Sequence, residues 1–167
     1  WSIAAGKRHP AYSATCLLSS DIATAPAAIV PPADGTSPVT AAAAYNRFLF
    51  HGPLFQTVTD IVSLTDKRLV ARLKPTHPRD FYPPAGDTEW LFDPGALAAA
   101  LQLVLVWSRV VQDSSPLPTR MAALQRFGNE PLSDELALAI DFLTGPGEPH
   151  IICDISVYDN QRRLRYR

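Results

Sequence analysis

The sequence predicts an α+β domain in which one long apolar helix is sheathed by antiparallel strands. The longest apolar run, residues 93–107, carries the start signals and the composition of a helix. The segments around it alternate between apolar and polar residues with period two, as half-buried strands do. A length of 167 residues allows one domain with a sizeable core.

The helix comes first because the other elements are arranged about it. Asp93 suits the N-cap, and Pro94 suits the first helical position, where a missing N–H costs nothing. The alanines and leucines that follow favour helix. Gln102 lies in mid-run, and Ser108 and Arg109 close it. The run is apolar almost all round, and a bilayer span needs about 20 such residues. It is therefore expected to be a rod enclosed by other structure, with no membrane involved.

Composition narrows the function classes. Fifteen basic and sixteen acidic residues give a formal net charge of −1, which supplies no electrostatic reason for a nucleic acid, an anionic membrane or a basic partner. Cys16 and Cys153 stand far apart without CxxC or Cys/His spacing, so neither a zinc site nor a disulfide framework is indicated. Free thiols in a reducing cytoplasm are the expectation. The start Trp1-Ser2-Ile3 has no initiator Met and no signal-peptide pattern, and reads as a cut from a longer chain. Sixteen prolines, against an average of about 5%, predict long extended connections.

In chain order, residues 9–20 read as one strand without a sequence-adjacent partner, and residues 1–21 as the end of a preceding unit. Residues 22–44 are a Pro/Ala-rich linker, from whose end a short helix runs over residues 41–50. Gly52-Pro53 then enforces a turn. Residues 57–64 and 68–73, separated by Thr65-Asp66-Lys67, fit a hairpin. A Pro-rich loop over residues 75–87 leads to the helix. Further strands are predicted over residues 121–127, 136–143, 150–158 and 162–166, with Leu136, Leu138, Ile140 and Phe142 on one face. One unit spans residues 45–167, and no internal repeat is visible.

No HExxH, GxSxG elbow or P-loop occurs, and no histidine pairs with another at i, i+4. No metal site is expected, and His77 and His150 read as ordinary surface or half-buried residues. Two stretches carry more. His51-Gly52-Pro53-Leu54-Phe55-Gln56, together with the helix start from Asp93 to Gln102, resembles the dehydratase domains of modular polyketide synthases and polyunsaturated fatty acid synthases. More closely, it resembles the second hotdog of their double hotdog, which shows a YGPxFQ-like or HGPxFQ-like turn and a Pro-x-x-Leu-Asp-x-x-x-Gln/His helix start. Pro118 and the closing Asp154-Ile155-Ser156-Val157-Tyr158-Asp159 are also similar. Residues 9–20 resemble the last strand of the first hotdog.

The resemblance implies a hotdog fold, a long helix wrapped by an antiparallel sheet. It further implies removal of water from a 3-hydroxyacyl chain on the phosphopantetheine of an acyl carrier protein, with no cofactor. Partners would be the carrier protein and either a preceding hotdog half or a second copy of the chain. In the family a His from the first hotdog and an Asp on the second hotdog's helix act as base and acid. Here the Asp position is Ala98, and no histidine fits HxxxGxxxxP. That His is expected outside this chain.

Gln102 matches the family position and lies one helical turn from Ala98, on one face with it. Either it contacts the catalytic group or water, or it is a buried amide satisfied by backbone. His51 is read as lining the substrate tunnel with Gly52, Pro53, Phe55, Leu97 and Ala98, against the alternative of a turn residue packed on Phe55. Phe55, Leu97 and Trp107 are as readily core. Asp93 next to the helix dipole suits a cap better than a proton donor. Three functions are carried forward: a dehydratase half that is inactive by itself, a non-catalytic pseudo-dehydratase that serves as scaffold or acyl binder, and a homodimeric hotdog thioesterase using Asp93.

Overall fold

The structure is a computed structural model that describes residues 2–4, 7–9, 13–26, 35–132 and 135–167. Two short strands, β1 (Ser2–Ala4) and β2 (Lys7–His9), pair antiparallel with each other. The main sheet has five antiparallel strands in sequence order: β3 (Val58–Leu64), β4 (Arg68–Leu73), β5 (Leu136–Phe142), β6 (Cys153–Tyr158) and β7 (Leu164–Tyr166). β3 and β4 form the expected hairpin, closed by Thr65, whose hydroxyl accepts the Arg68 N–H at 3.0 Å. Between β4 and β5 the chain makes two small helical turns, α2 (Pro78–Phe81) and a 3₁₀ turn at Pro83–Ala85, before the long helix α3 (Pro94–Val111).

Period-two patterning decides which face of the sheet meets α3. Leu136, Leu138 and Ile140 of β5 join the main core with Leu103, Val106 and Trp107, whereas Ala139 belongs to a smaller cluster with Phe127, Tyr158 and Leu164. Ala96, Ala99 and Ala100 are buried on the inner side of α3, where a methyl lets the helix backbone approach the sheet. Trp107 is fully buried, stacks on Phe142 at 3.9 Å and donates its indole N–H to the Thr65 carbonyl at 2.8 Å.

Several expectations need correction. The helix is not enclosed all round: Leu97, Ala98, Val104 and Leu105 are half-buried and Leu101 is 43% exposed. A single sheet layer covers only one side of a helix that is apolar on most of its circumference. At 18 residues α3 is long and apolar enough to cross a membrane, yet half of it is buried against the sheet, as in a core helix. It also runs beyond Trp107 to Val111.

Residues 9–20 are not one strand. His9 ends β2, and the described residues 13–20 are irregular and exposed, with Leu17 and Leu18 outward. Without a neighbour to take its backbone hydrogen bonds, β-propensity there has nothing to build on. Residues 121–127 form only a stub. Gln125 exchanges backbone hydrogen bonds with Arg167, and Phe127 donates to Arg165. Met121 faces solvent with no apolar surface to cover. The linker is shorter than its composition implied, because Val39, Ala41 and Ala44 are buried in the core and α1 (Ala41–Arg47) begins inside it. Residues 150–152 precede β6 rather than belong to it.

Candidate active site

The Gly-Pro turn and α3 are joined by side chains. Gly52, extended at φ −70° and ψ 170°, precedes a 3₁₀ turn at Pro53–Phe55 that starts on a proline. The Gln56 amide donates to the His51 carbonyl at 2.9 Å and closes the turn. The Phe55 carbonyl accepts from Gln102 Nε2 at 3.0 Å, and Gln102 Oε1 accepts from the Tyr45 hydroxyl at 3.2 Å. The Tyr45 oxygen in turn accepts the Val58 N–H at 3.0 Å. Helix α1, capped by Thr40 Oγ1 on the Ala43 N–H at 3.2 Å, carries Tyr45 to this point. Burial raises the Tyr45 phenol above its ordinary value, with the Val58 N–H pulling the other way.

Gln102 is 1% exposed, so its amide is a satisfied buried group that pins the turn to the helix. Tyr45 was not foreseen as part of the site. The only signal was an aromatic hydroxyl in an alanine-rich segment, and its partners lie 13 and 57 residues away.

Around this pin the other predicted residues separate. Gly52 and Pro53 are exposed, while Phe55, Leu97 and Ala98 are half-buried. His51 is half-buried and stacks on Phe50, at 4.5 Å and 19°, not on Phe55. Its Nδ1 is buried without a hydrogen-bond partner. Phe55 instead meets Phe81 edge to face at 5.4 Å, and Phe81 meets Trp90 at 5.8 Å. The Trp90 Nε1 is likewise buried and unpartnered. His77 is half-buried and His150 exposed, as ordinary residues of that kind are.

Asp93 is fully buried and fully engaged. Oδ1 accepts from the Gly95 N–H at 2.7 Å, the Ala96 N–H at 3.2 Å and the Thr76 hydroxyl at 2.5 Å, and Oδ2 accepts the Thr76 N–H at 2.7 Å. It is a helix cap closed off from solvent. Two cavities are described away from the 98/102 face. One, of about 160 Å³, is lined by His77, Arg79 and residues 86–89; the other, of about 470 Å³, lies between residues 22–26 and β7. Among the described residues no cluster of three or more His, Cys, Asp or Glu side chains could hold a metal. Cys16 and Cys153 are free, and burial followed by the Asp154 charge pushes the Cys153 thiol to about 11, which keeps it protonated.

An antiparallel sheet on one long helix is the construction of a dehydratase hotdog domain. Over 77% of its length the chain resembles the crystal structure of the dehydratase domain of RzxB from Pseudomonas fluorescens, with a TM-score of 0.50 and 19% identity, covering 46% of that chain. At that identity the likeness concerns the fold. The family model described as "Polyketide synthase dehydratase N-terminal domain" matches residues 23–166, and the chain belongs to that family. A polyunsaturated fatty acid synthase polypeptide of Thraustochytrium sp. (strain ATCC 26185 / S-3) is 34% identical over 121 residues. That match takes in 70% of this chain and 4% of the relative, so the chain spans a small part of the relative it matches.

Proposed function

We propose that the chain, although the family model it matches is described as an N-terminal domain, is the C-terminal hotdog of a double-hotdog dehydratase within a polyketide or polyunsaturated fatty acid synthase, on the resemblance of residues 51–56 and 93–102 to the second hotdog. Its substrate is a 3-hydroxyacyl chain on the phosphopantetheine of an acyl carrier protein. The observation that carries this reading is the Gln102–Phe55 hydrogen bond, at 3.0 Å. It holds the His51–Gln56 turn on the helix one turn from position 98, which supports residues 97, 98 and 51–55 as one wall of an acyl tunnel. The half-open flank of α3 supports a second hotdog, covalently preceding or supplied by another copy, as the opposite wall. Residues 1–21 are then the end of that preceding half. Work in the reducing cytoplasm suits the two free cysteines.

The chemistry requires a base for the proton α to the thioester carbonyl and an acid for the departing β-hydroxyl, and it calls for no cofactor. The acid's place is taken by the Ala98 methyl, which transfers no proton, and the base is a histidine of the other half. This chain by itself is therefore catalytically incomplete. Ala98 favours a second reading, a pseudo-dehydratase that binds acyl chains or holds the synthase together without turnover. A thioesterase acting through Asp93 is disfavoured by the four hydrogen bonds that Asp93 accepts.

The test supplies the upstream half together with Ala98→Asp and offers a 3-hydroxyacyl-carrier-protein. Formation of the α,β-unsaturated thioester is the result expected of a dehydratase tunnel. An acyl probe that binds without any water loss after the repair selects the scaffold reading.

A further inference from the structure

We infer that the cavity between residues 22–26 and β7 is a binding site for a small amphiphilic carboxylate, separate from the 98/102 face and independent of the dehydratase reading. Its starting point is a buried guanidinium that is not fully used. Arg165, 2% exposed, lines the cavity. Its Nη1 donates to Asp159 Oδ2 at 3.3 Å and its Nη2 to the Glu130 carbonyl, whereas its Nε is buried without a hydrogen-bond partner among the described residues. The desolvation of that N–H is left unrelieved, and an acceptor entering the cavity relieves it. Charge decides which acceptor. Arg162, Arg163 and Arg165 line the cavity, and the carboxylates of Glu130 and Asp159 pair with Arg163 and Arg165 only. One positive charge, on the exposed Arg162, is uncompensated. A single negative charge on the ligand completes the set, and a dianion overfills it. The remaining wall selects for hydrocarbon. Ile22, Ala25, Phe127 and Leu164 line the same space, and a volume of about 470 Å³ lies in the range of small-molecule sites. A carboxylate head at Arg165 Nε and Arg162, with a short alkyl body against those four side chains, satisfies both walls.

The experiment titrates hexanoate into the 167-residue chain, uniformly labelled with ¹⁵N, and follows the Arg165 Nε–H resonance. That resonance should move downfield and saturate with hexanoate, as a charge-assisted hydrogen bond forms. It should stay in place with hexanamide, which keeps the chain and a carbonyl but carries no charge. Arg162→Glu, an exposed change between β6 and β7, should weaken hexanoate about tenfold, one exposed attraction being replaced by a repulsion of similar size. Ala25→Phe fills the cavity and should abolish the shift, with the backbone resonances of β4 and β5 unmoved as the check that the sheet is intact. An Arg165 Nε–H that ignores hexanoate, that responds equally to hexanamide or to inorganic phosphate, or that titrates in both variants as in the unmodified chain would overturn the inference.

Discussion

Thr76 and Asp93, 17 residues apart in sequence, are locked by two hydrogen bonds: the Thr76 N–H reaches Oδ2 at 2.7 Å and its hydroxyl reaches Oδ1 at 2.5 Å. The carboxylate that caps α3 therefore also anchors the Pro-rich crossing from β4. The Asp93 N–H donates to the Tyr166 hydroxyl at 3.2 Å, which ties the same point to β7.

Replacing Asp93 by Ala should destabilise the domain by about 2–4 kcal/mol, more than an ordinary cap, because buried donors on two segments lose one acceptor together. Asp93→Asn should recover part of this, since its oxygen can keep the three bonds made to Oδ1 while its NH₂ would meet the Thr76 N–H. Thr76→Val, which keeps the backbone bond, should fall between these variants and the unmodified chain. Urea unfolding of the four proteins gives the order.

Gly95→Ala tests the packing under the same cap. In an open helix that change gains about 1 kcal/mol. Here the added methyl would run into Thr76 Cγ2 and come within 2.9 Å of Thr57 Cγ2, so overpacking should reverse the sign and cost about 1–3 kcal/mol. Thr76→Ser removes one of the two methyls and keeps the hydroxyl. Thermal melts of Gly95→Ala with and without Thr76→Ser should show partial recovery in the double variant.

On strand β7, next to Tyr166, Arg165 forms a buried pair with Asp159 at 3.3 Å. Arg165→Met should cost about 2–3 kcal/mol, towards or below the low end for a broken buried pair, because Asp159 keeps Arg163 Nε at 2.8 Å and the Gln161 and Arg163 N–H groups. Asp159→Ala should cost more, about 3–5 kcal/mol, since it leaves the buried Arg165 guanidinium with Glu130 alone and unties the turn over residues 159–163. Denaturation midpoints of the two single variants establish which partner matters more.

Stability should fall at both ends of the pH scale. Burial alone would raise the Asp159 carboxyl, but its hydrogen bonds from Arg163 and Arg165 outweigh this and hold it below the ordinary 3.8. A depressed carboxylate contributes fully above that value, and the contribution is lost as pH falls through the folded-state value. Burial raises Tyr45 and Tyr166 above their ordinary 10.0. Their contribution is complete below pH 10.0 and is lost as pH rises toward the folded-state values. Tyr45→Phe and Tyr166→Phe should flatten the alkaline arm, and Asp159→Asn the acid arm, in urea midpoints measured from pH 3 to 11.

Much of the fold was legible because its signals are local. Asp93-Pro94 and the alanine run specify the start of α3; Thr65-Asp66-Lys67 between two alternating segments specifies the hairpin; the period-two pattern in Leu136, Leu138, Ile140 and Phe142 specifies the inward face of β5. Each requires only neighbours within a few residues. The motifs at residues 51–56 and 93–102, on which the resemblance to the dehydratase family rests, were likewise open to reading from residue identity and spacing.

Contacts between distant segments were not. Whether residues 13–20 become a strand depends on a partner that no local pattern names. How much of α3 stays open at Leu101 depends on how many sheet layers surround it. That Gln102 spends its carbonyl on Tyr45 and an N–H on Phe55 depends on three segments meeting in one place. Periodicity and caps are properties of one stretch of chain, whereas burial, strand pairing and the direction of a side-chain amide are set by whatever the rest of the chain brings to it.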